Sequence, residues 1–134
     1  MEQRDYLQKQ IDLLGKVLGK ILADLLGAKN EGNLENQAVQ AKQQLQGELD
    51  LNISELLQYP DADFIKWLSA EKKFTDEHFE KLAEIMILLG ESAETENQKA
   101  LYQKCLVIYS HLEETGNTYS VDRHERIERL KKSL

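Results

Sequence analysis

The chain has one cysteine, one proline and one tryptophan among 134 residues. Cys105, the only thiol, has no internal partner, so no disulfide framework holds the protein. The scarcity of proline argues against a disordered or proline-rich linker composition. No long apolar run occurs. The best candidate, Ile11 to Leu26, is interrupted by Asp12, Lys16, Lys20 and Asp24, whereas a membrane span needs about 18 uncharged residues. Excess positive charge is also missing: 17 Lys and Arg stand against 24 Asp and Glu, for a formal net charge of −7. That balance opposes non-specific binding to nucleic acid or anionic lipid, both polyanions. The opening Met1-Glu2-Gln3-Arg4-Asp5 lacks the basic-then-apolar layout of a secretory signal. Together with the near-absence of thiols, it points to a cytoplasmic setting.

What is present is helical patterning. Hydrophobic residues make up 41% and charged residues 31%, a profile able to bury one core at this length. Leu7, Ile11, Leu14, Leu18, Ile21 and Leu25 recur at spacings of four and three, the stripe of an amphipathic helix from about Arg4 to Gly27. Gly15, Gly19 and Ala23 form a second stripe of small residues on that helix. Glycine costs about 1 kcal/mol against alanine in a helix, so the stripe predicts a closely packed neighbour. Gly27 to Asn33 reads as a turn, and Asn33 as the N-cap of a second helix, Leu34 to Leu49, whose outer face is rich in glutamine.

Farther on, a short helical turn follows Ser54 and stops at Pro60. Asp61 is read as capping a third helix to Ala70, and Thr75 a fourth from Asp76 to Gly90. Thr95 and Gln98 have capping-box spacing at the head of a fifth helix, which ends near Thr115 and Gly116. Ser120 is read as capping a sixth that reaches the C-terminus. No segment alternates with the period of a strand. The expectation is an all-α fold of about six helices in antiparallel hairpins. It would form one domain over residues 1–134, with a long N-terminal helix (4–27) packing on hairpins (33–134).

Phe79, Leu82, Ala83 and Met86 have the large–large–small–large spacing of a tetratricopeptide first helix. Tyr102, Cys105, Leu106, Tyr109, Gly116 and Tyr119 echo the pattern less fully, and the terminal proline of that repeat is missing. The second half therefore resembles a tetratricopeptide-type helical array. Asp5-Tyr6-Leu7 with Ile11, and Leu112 through Ser120 followed by Arg123, are similar to an uncharacterised family of small bacterial helical proteins. No biochemical role comes with that resemblance.

Chemistry-bearing motifs are sparse. His111 with Glu114, and His124 with Glu128, share helix faces, but such pairs arise by chance among 24 carboxylates, and neither His-Glu-x-x-His nor Glu-x-x-His occurs. Cys105 lies in an apolar stripe and reads as core. Gly15 and Gly19 fall inside a helix and make no phosphate loop. No catalytic residue, cofactor or metal ligand is assigned.

The last helix is locally basic at Arg123, Arg126, Arg129, Lys131 and Lys132. Glu125 lies four before Arg129 and Glu128 four before Lys132, the order that favours pairs within the helix. The alternatives are an acidic protein partner or nucleic acid, and the overall charge disfavours the latter. The wide apolar face of the first helix, with Lys9, Lys16 and Lys20, allows core packing, a homodimer interface or a membrane surface. The small-residue stripe favours a helix partner over lipid. The functional expectation is a non-enzymatic module that binds a protein partner through a helix face or groove, with Tyr102, Tyr109, Tyr119, Arg123 and Arg126 as candidate contacts. The alternatives are a structural protein that self-associates through its first helix, or an enzyme of unrecognised class.

Overall fold

The periodic segments are helices in a computed structural model, which describes residues 2–116 and 120–134, with side chains from residue 4 onward. The described residues form seven helices and no strand: α1 (Glu2–Asn30), α2 (Leu34–Leu49), α3 (Ile53–Gln58), α4 (Asp61–Glu71), α5 (Asp76–Glu91), α6 (Thr95–Thr115) and α7 (Val121–Ser133). The helical turn after Ser54 is thus a helix of its own. One buried apolar cluster draws on all seven, from Leu14 of α1 to Leu130 of α7. Within the core, α1 lies between α2 and α5, and α5 lies between α1 and α6. Helices α3, α4 and α7 pack on α6.

Helix ends follow local hydrogen bonding more closely than residue identity. Helix α1 continues past Gly27, which has open space around it, and ends where Gly32 takes φ +72°. There the Asn33 N–H reaches the Ala28 carbonyl at 2.8 Å and the Gly32 N–H the Lys29 carbonyl at 3.2 Å, the paired bonds of a Schellman stop. Asn52, not Ser54, caps α3, accepting the Glu55 N–H at 3.1 Å from an extended backbone. Pro60 occupies the cap position of α4, and Asp61 is already its first helical residue. Glu94 precedes α6 in the same way. Thr95 and Gln98 do not close a capping box, because the Gln98 amide donates instead to the Gly90 carbonyl at 2.9 Å. Ser120 does cap α7, accepting the Arg123 N–H at 3.2 Å.

The small-residue stripe of α1 divides. A methyl group at Gly15 would sit 3.4 Å from the His78 ring, and one at Gly19 3.9 Å from the Lys81 ammonium, so both glycines line the approach of α5. Ala23 is exposed and has no part in that contact. The absence of side chains at 15 and 19 uncovers the α1 backbone. His78 bonds the Ile11 carbonyl through Nε2 at 3.0 Å, and Lys81 donates to the Gly15 carbonyl at 3.3 Å. The other ring nitrogen of His78, Nδ1, accepts the Thr75 N–H at 2.9 Å. With the Thr75 side chain it completes a capping box in which histidine stands where glutamate or glutamine is usual. A single buried imidazole thus caps α5 and ties it to α1. Burial holds its pKa below the ordinary value of 6.5.

The basic residues of α7 reach outward rather than along their own helix. Arg123 pairs with Glu80 of α5 at 2.5 Å and Glu113 of α6 at 3.1 Å, and Arg126 pairs with Glu84 of α5 at 3.1 Å. Among the described residues, neither Glu125 with Arg129 nor Glu128 with Lys132 closes an ion pair. Arginine forks and helix spacing explain the difference. Positions 123 and 126 of α7 meet positions 80 and 84 of α5, where the carboxylates are partly desolvated and worth more than exposed neighbours.

Candidate functional site

Helix α6 has 21 residues, about 31 Å of rise, whereas α4, laid against it, has 11 residues, about 16 Å. The shorter helix cannot cover the longer. Phe64 and Leu68 of α4 go into the core. Beside that seam a shallow groove of about 1310 Å³ opens between the two helices. Its floor is apolar and half-buried: Leu57, Ile65, Leu106 and Val107. Small residues on both walls, Ala62, Ser69, Ala70, Ala100 and Ser110, keep it wide.

One end of the groove is fixed by Lys104. Its ammonium donates to the Tyr59 carbonyl and, at 2.8 Å, to the Asp61 carboxylate, and it lies 5.3 Å from the centre of the Phe64 ring. These contacts pin the corner around Pro60 to α6, so the groove wall is held in place whether or not anything fills it. Lys66 and Glu114 are exposed at the rim. With Asp61 and Lys104 paired, the groove has no dominant charge. What it presents is shape and apolar surface.

A smaller concavity of about 320 Å³ lies between the C-terminal turns of α1, α5 and α7. Tyr102 and Arg126, two of the candidate contacts, both line it. Tyr102 is nearly enclosed, with its ring against Gly90. Burial and the nearby Glu91 carboxylate raise its pKa.

The other candidate contacts are placed differently. Tyr109 is fully enclosed and unable to touch a partner, and burial pushes its phenol pKa up. Arg123 is buried in its two ion pairs. Tyr119 lies outside the described residues. Cys105 is a core thiol donating to the Ala83 carbonyl at 3.3 Å, its ionisation suppressed by burial. His111 packs edge-on to Phe79 at 5.2 Å. Among the described residues, no three His, Cys, Asp or Glu side chains converge to hold a metal ion, and no helix is long and apolar enough to cross a membrane.

The groove residues were not singled out from the sequence, although a signal existed. Helix α6 carries apolar residues on nearly every face, Leu101, Cys105, Ile108 and Leu112 on one side and Leu106 and Val107 on another. A helix of that kind needs more neighbours than the fold supplies. No protein-family profile, curated protein or solved structure matches the chain.

Proposed function

We propose that the protein is a non-enzymatic interaction module whose α4–α6 groove receives an amphipathic helix from a protein partner. The observation that carries this reading is the half-covered apolar face of α6, with Ile65, Leu106 and Val107 on the floor between walls of small residues. The volume of about 1310 Å³ exceeds the 300–1,000 Å³ of usual small-ligand pockets, and the open form suits a polymer segment. The lining of α6 runs from Ala100 to Glu114, about 21 Å, which matches about four helical turns of a partner with anchors at i, i+4, i+7 and i+11. Small residues on a helix wall let another helix come close. The tetratricopeptide-like reading of α5 and α6 belongs to the same proposal. Phe79, Leu82, Ala83 and Met86 are all buried on α5, with Ala83 at the approach of Cys105. A cytoplasmic setting and the exclusion of nucleic acid, both argued from composition, go with this role.

The test is selection of helical peptides from a displayed library against the whole protein, followed by binding to Val107→Glu and Ile65→Glu variants. The reading expects selected peptides with an apolar stripe of helical period, and at least tenfold weaker binding to either variant. Peptides indifferent to both substitutions would overturn it.

A second reading is self-association through α1. Residues 4–10 are helical yet exposed on all sides, with Tyr6 63% and Leu7 41% accessible, and Leu13 just beyond at 58%. Two unsupported turns are marginal as an isolated helix, so a second copy would stabilise them. A monomer mass by light scattering that persists on concentration removes this reading and leaves the groove untouched.

A further inference from the structure

The smaller concavity points to a ligand of its own. Along α7, Arg123, Arg126 and Arg129 fall at successive helical turns on one side. The first two each meet a carboxylate of α5, Arg123 at Glu80 and Arg126 at Glu84. The next turn of α5 offers Ile87 and Leu88, so the third arginine arrives opposite apolar surface. Among the described residues Arg129 has no ion pair. At this position the chain opens the 320 Å³ concavity, floored by Ile87, Leu88 and Leu130 and walled by Leu26. Leu26 is 45% exposed near the C-terminal end of α1 and adds apolar surface to the wall.

The local charge supports an anion. Glu91 is neutralised by Lys29 at 3.0 Å and Glu84 by Arg126, so the guanidinium of Arg129 is the uncompensated charge at the rim. The helix ends nearby oppose it only in part, because some of their carbonyls are bonded. Gly32 and Asn33 bond the end of α1, Ser92 and Gln98 bond the end of α5, and Leu134 bonds Lys131 of α7. Unsatisfied carbonyls are what give a helix C-terminus its negative end.

We propose that this concavity binds an aliphatic carboxylate, with the carboxylate paired to Arg129 as the missing third rung and the hydrocarbon tail on Leu26, Ile87, Leu88 and Leu130. The volume is at the lower end of small-ligand sites. That fits a single unbranched chain better than a polycyclic ligand. The site is independent of the α4–α6 groove.

The experiment is titration of the isotopically labelled protein with decanoate below its micelle concentration, followed by amide and methyl NMR. Decyltrimethylammonium serves as the same tail with opposite charge, and acetate as the head alone. The proposal expects saturable shifts at Leu26, Ile87, Leu88 and Leu130 with decanoate, and none of comparable size with the other two. Arg129→Gln, at an exposed residue whose side chain makes no ion pair among the described residues, should leave the helical circular dichroism intact and weaken decanoate at least tenfold. Leu26→Ser should weaken it as well. Equal binding of the ammonium amphiphile, shifts centred on Leu106 and Val107, or unchanged affinity in Arg129→Gln would each overturn the proposal.

Discussion

Replacing Gly90 by alanine should destabilise the protein, although alanine is the better helix former. Gly90 is buried in the last turn of α5, and a methyl group there would lie 2.5 Å from Cε1 and 3.1 Å from Cδ1 of Tyr102. Carbon atoms rest at about 3.5–4.0 Å, so the ring or the whole of α6 would have to retreat by about 1 Å. An aromatic ring cannot bend away, and overpacking of this kind costs about 1–3 kcal/mol. The helix-propensity gain, up to about 1 kcal/mol, offsets part of that. A net loss of about 1–2 kcal/mol is expected.

Gly47 supplies the control. It is exposed in α2 with nothing within 4 Å of its added methyl, so Gly47→Ala should stabilise by about 0.5–1 kcal/mol. The same chemical change then has opposite signs at two helical positions. Urea unfolding measures both through the midpoint, provided the slope is unchanged. In a Tyr102→Ala background the clash disappears, and Gly90→Ala should become neutral or stabilising, a coupling of about 1–3 kcal/mol. The reasoning fails if Gly90→Ala stabilises as Gly47→Ala does, or if its cost persists without the ring.

Three further expectations come from single side chains. His78 has a pKa depressed chiefly by burial, with Lys81 pressing the same way and the Ile11 carbonyl, Glu77 and Asp12 opposing. Its contribution to stability is therefore full above pH 6.5, the unfolded value, and is lost as pH falls from there through the lower folded value. His78→Gln, which keeps a capping-box acceptor but cannot titrate, should flatten that part of the urea-midpoint profile; parallel profiles for the two proteins would contradict it. Arg123→Ala leaves Glu80 and Glu113 without their shared cation and should cost about 1–3 kcal/mol, since both carboxylates keep some solvent. Hydrogen exchange should then show protection lost first in α7. Tyr109→Phe should change stability by less than about 0.5 kcal/mol, because its buried hydroxyl has no hydrogen-bond partner among the described residues. A larger loss by calorimetry would mean that the hydroxyl is bonded.

Much of the helical layout was legible because a 3.6-residue apolar period is a strong, local signal. The core stripe of α1 and that of α5 could be read from spacing alone, and the buried residues Leu14, Leu18, Ile21 and Leu25 follow it. Helix ends were less legible. Gly27 and Gly32 are chemically identical, and only the hydrogen bonds around Gly32 decide that the stop falls there. His78 illustrates a further limit, since histidine at the third position of a helix has no strong capping preference of its own. Its role depends on a carbonyl of α1 that lies 67 residues away in sequence. The pairing of Arg126 with Glu84 across two helices, in place of a pair within α7, is likewise a property of packing. The groove was least legible of all. The unequal lengths of α4 and α6 could be read from the sequence, but that α4 is laid against α6 is a property of packing that neither helix's own pattern encodes.

The central claim, that α6 receives a partner helix in its groove, is tested most directly by photo-crosslinking in living cells of the native host. A crosslinking residue at Val107, inside the groove, is compared with one at Gln40 on the solvent face of α2. The account predicts a discrete adduct from position 107, none from position 40, and loss of the adduct when Ala62→Trp fills the groove. Equal labelling from both positions, or an adduct at 107 that survives a filled groove, would contradict it.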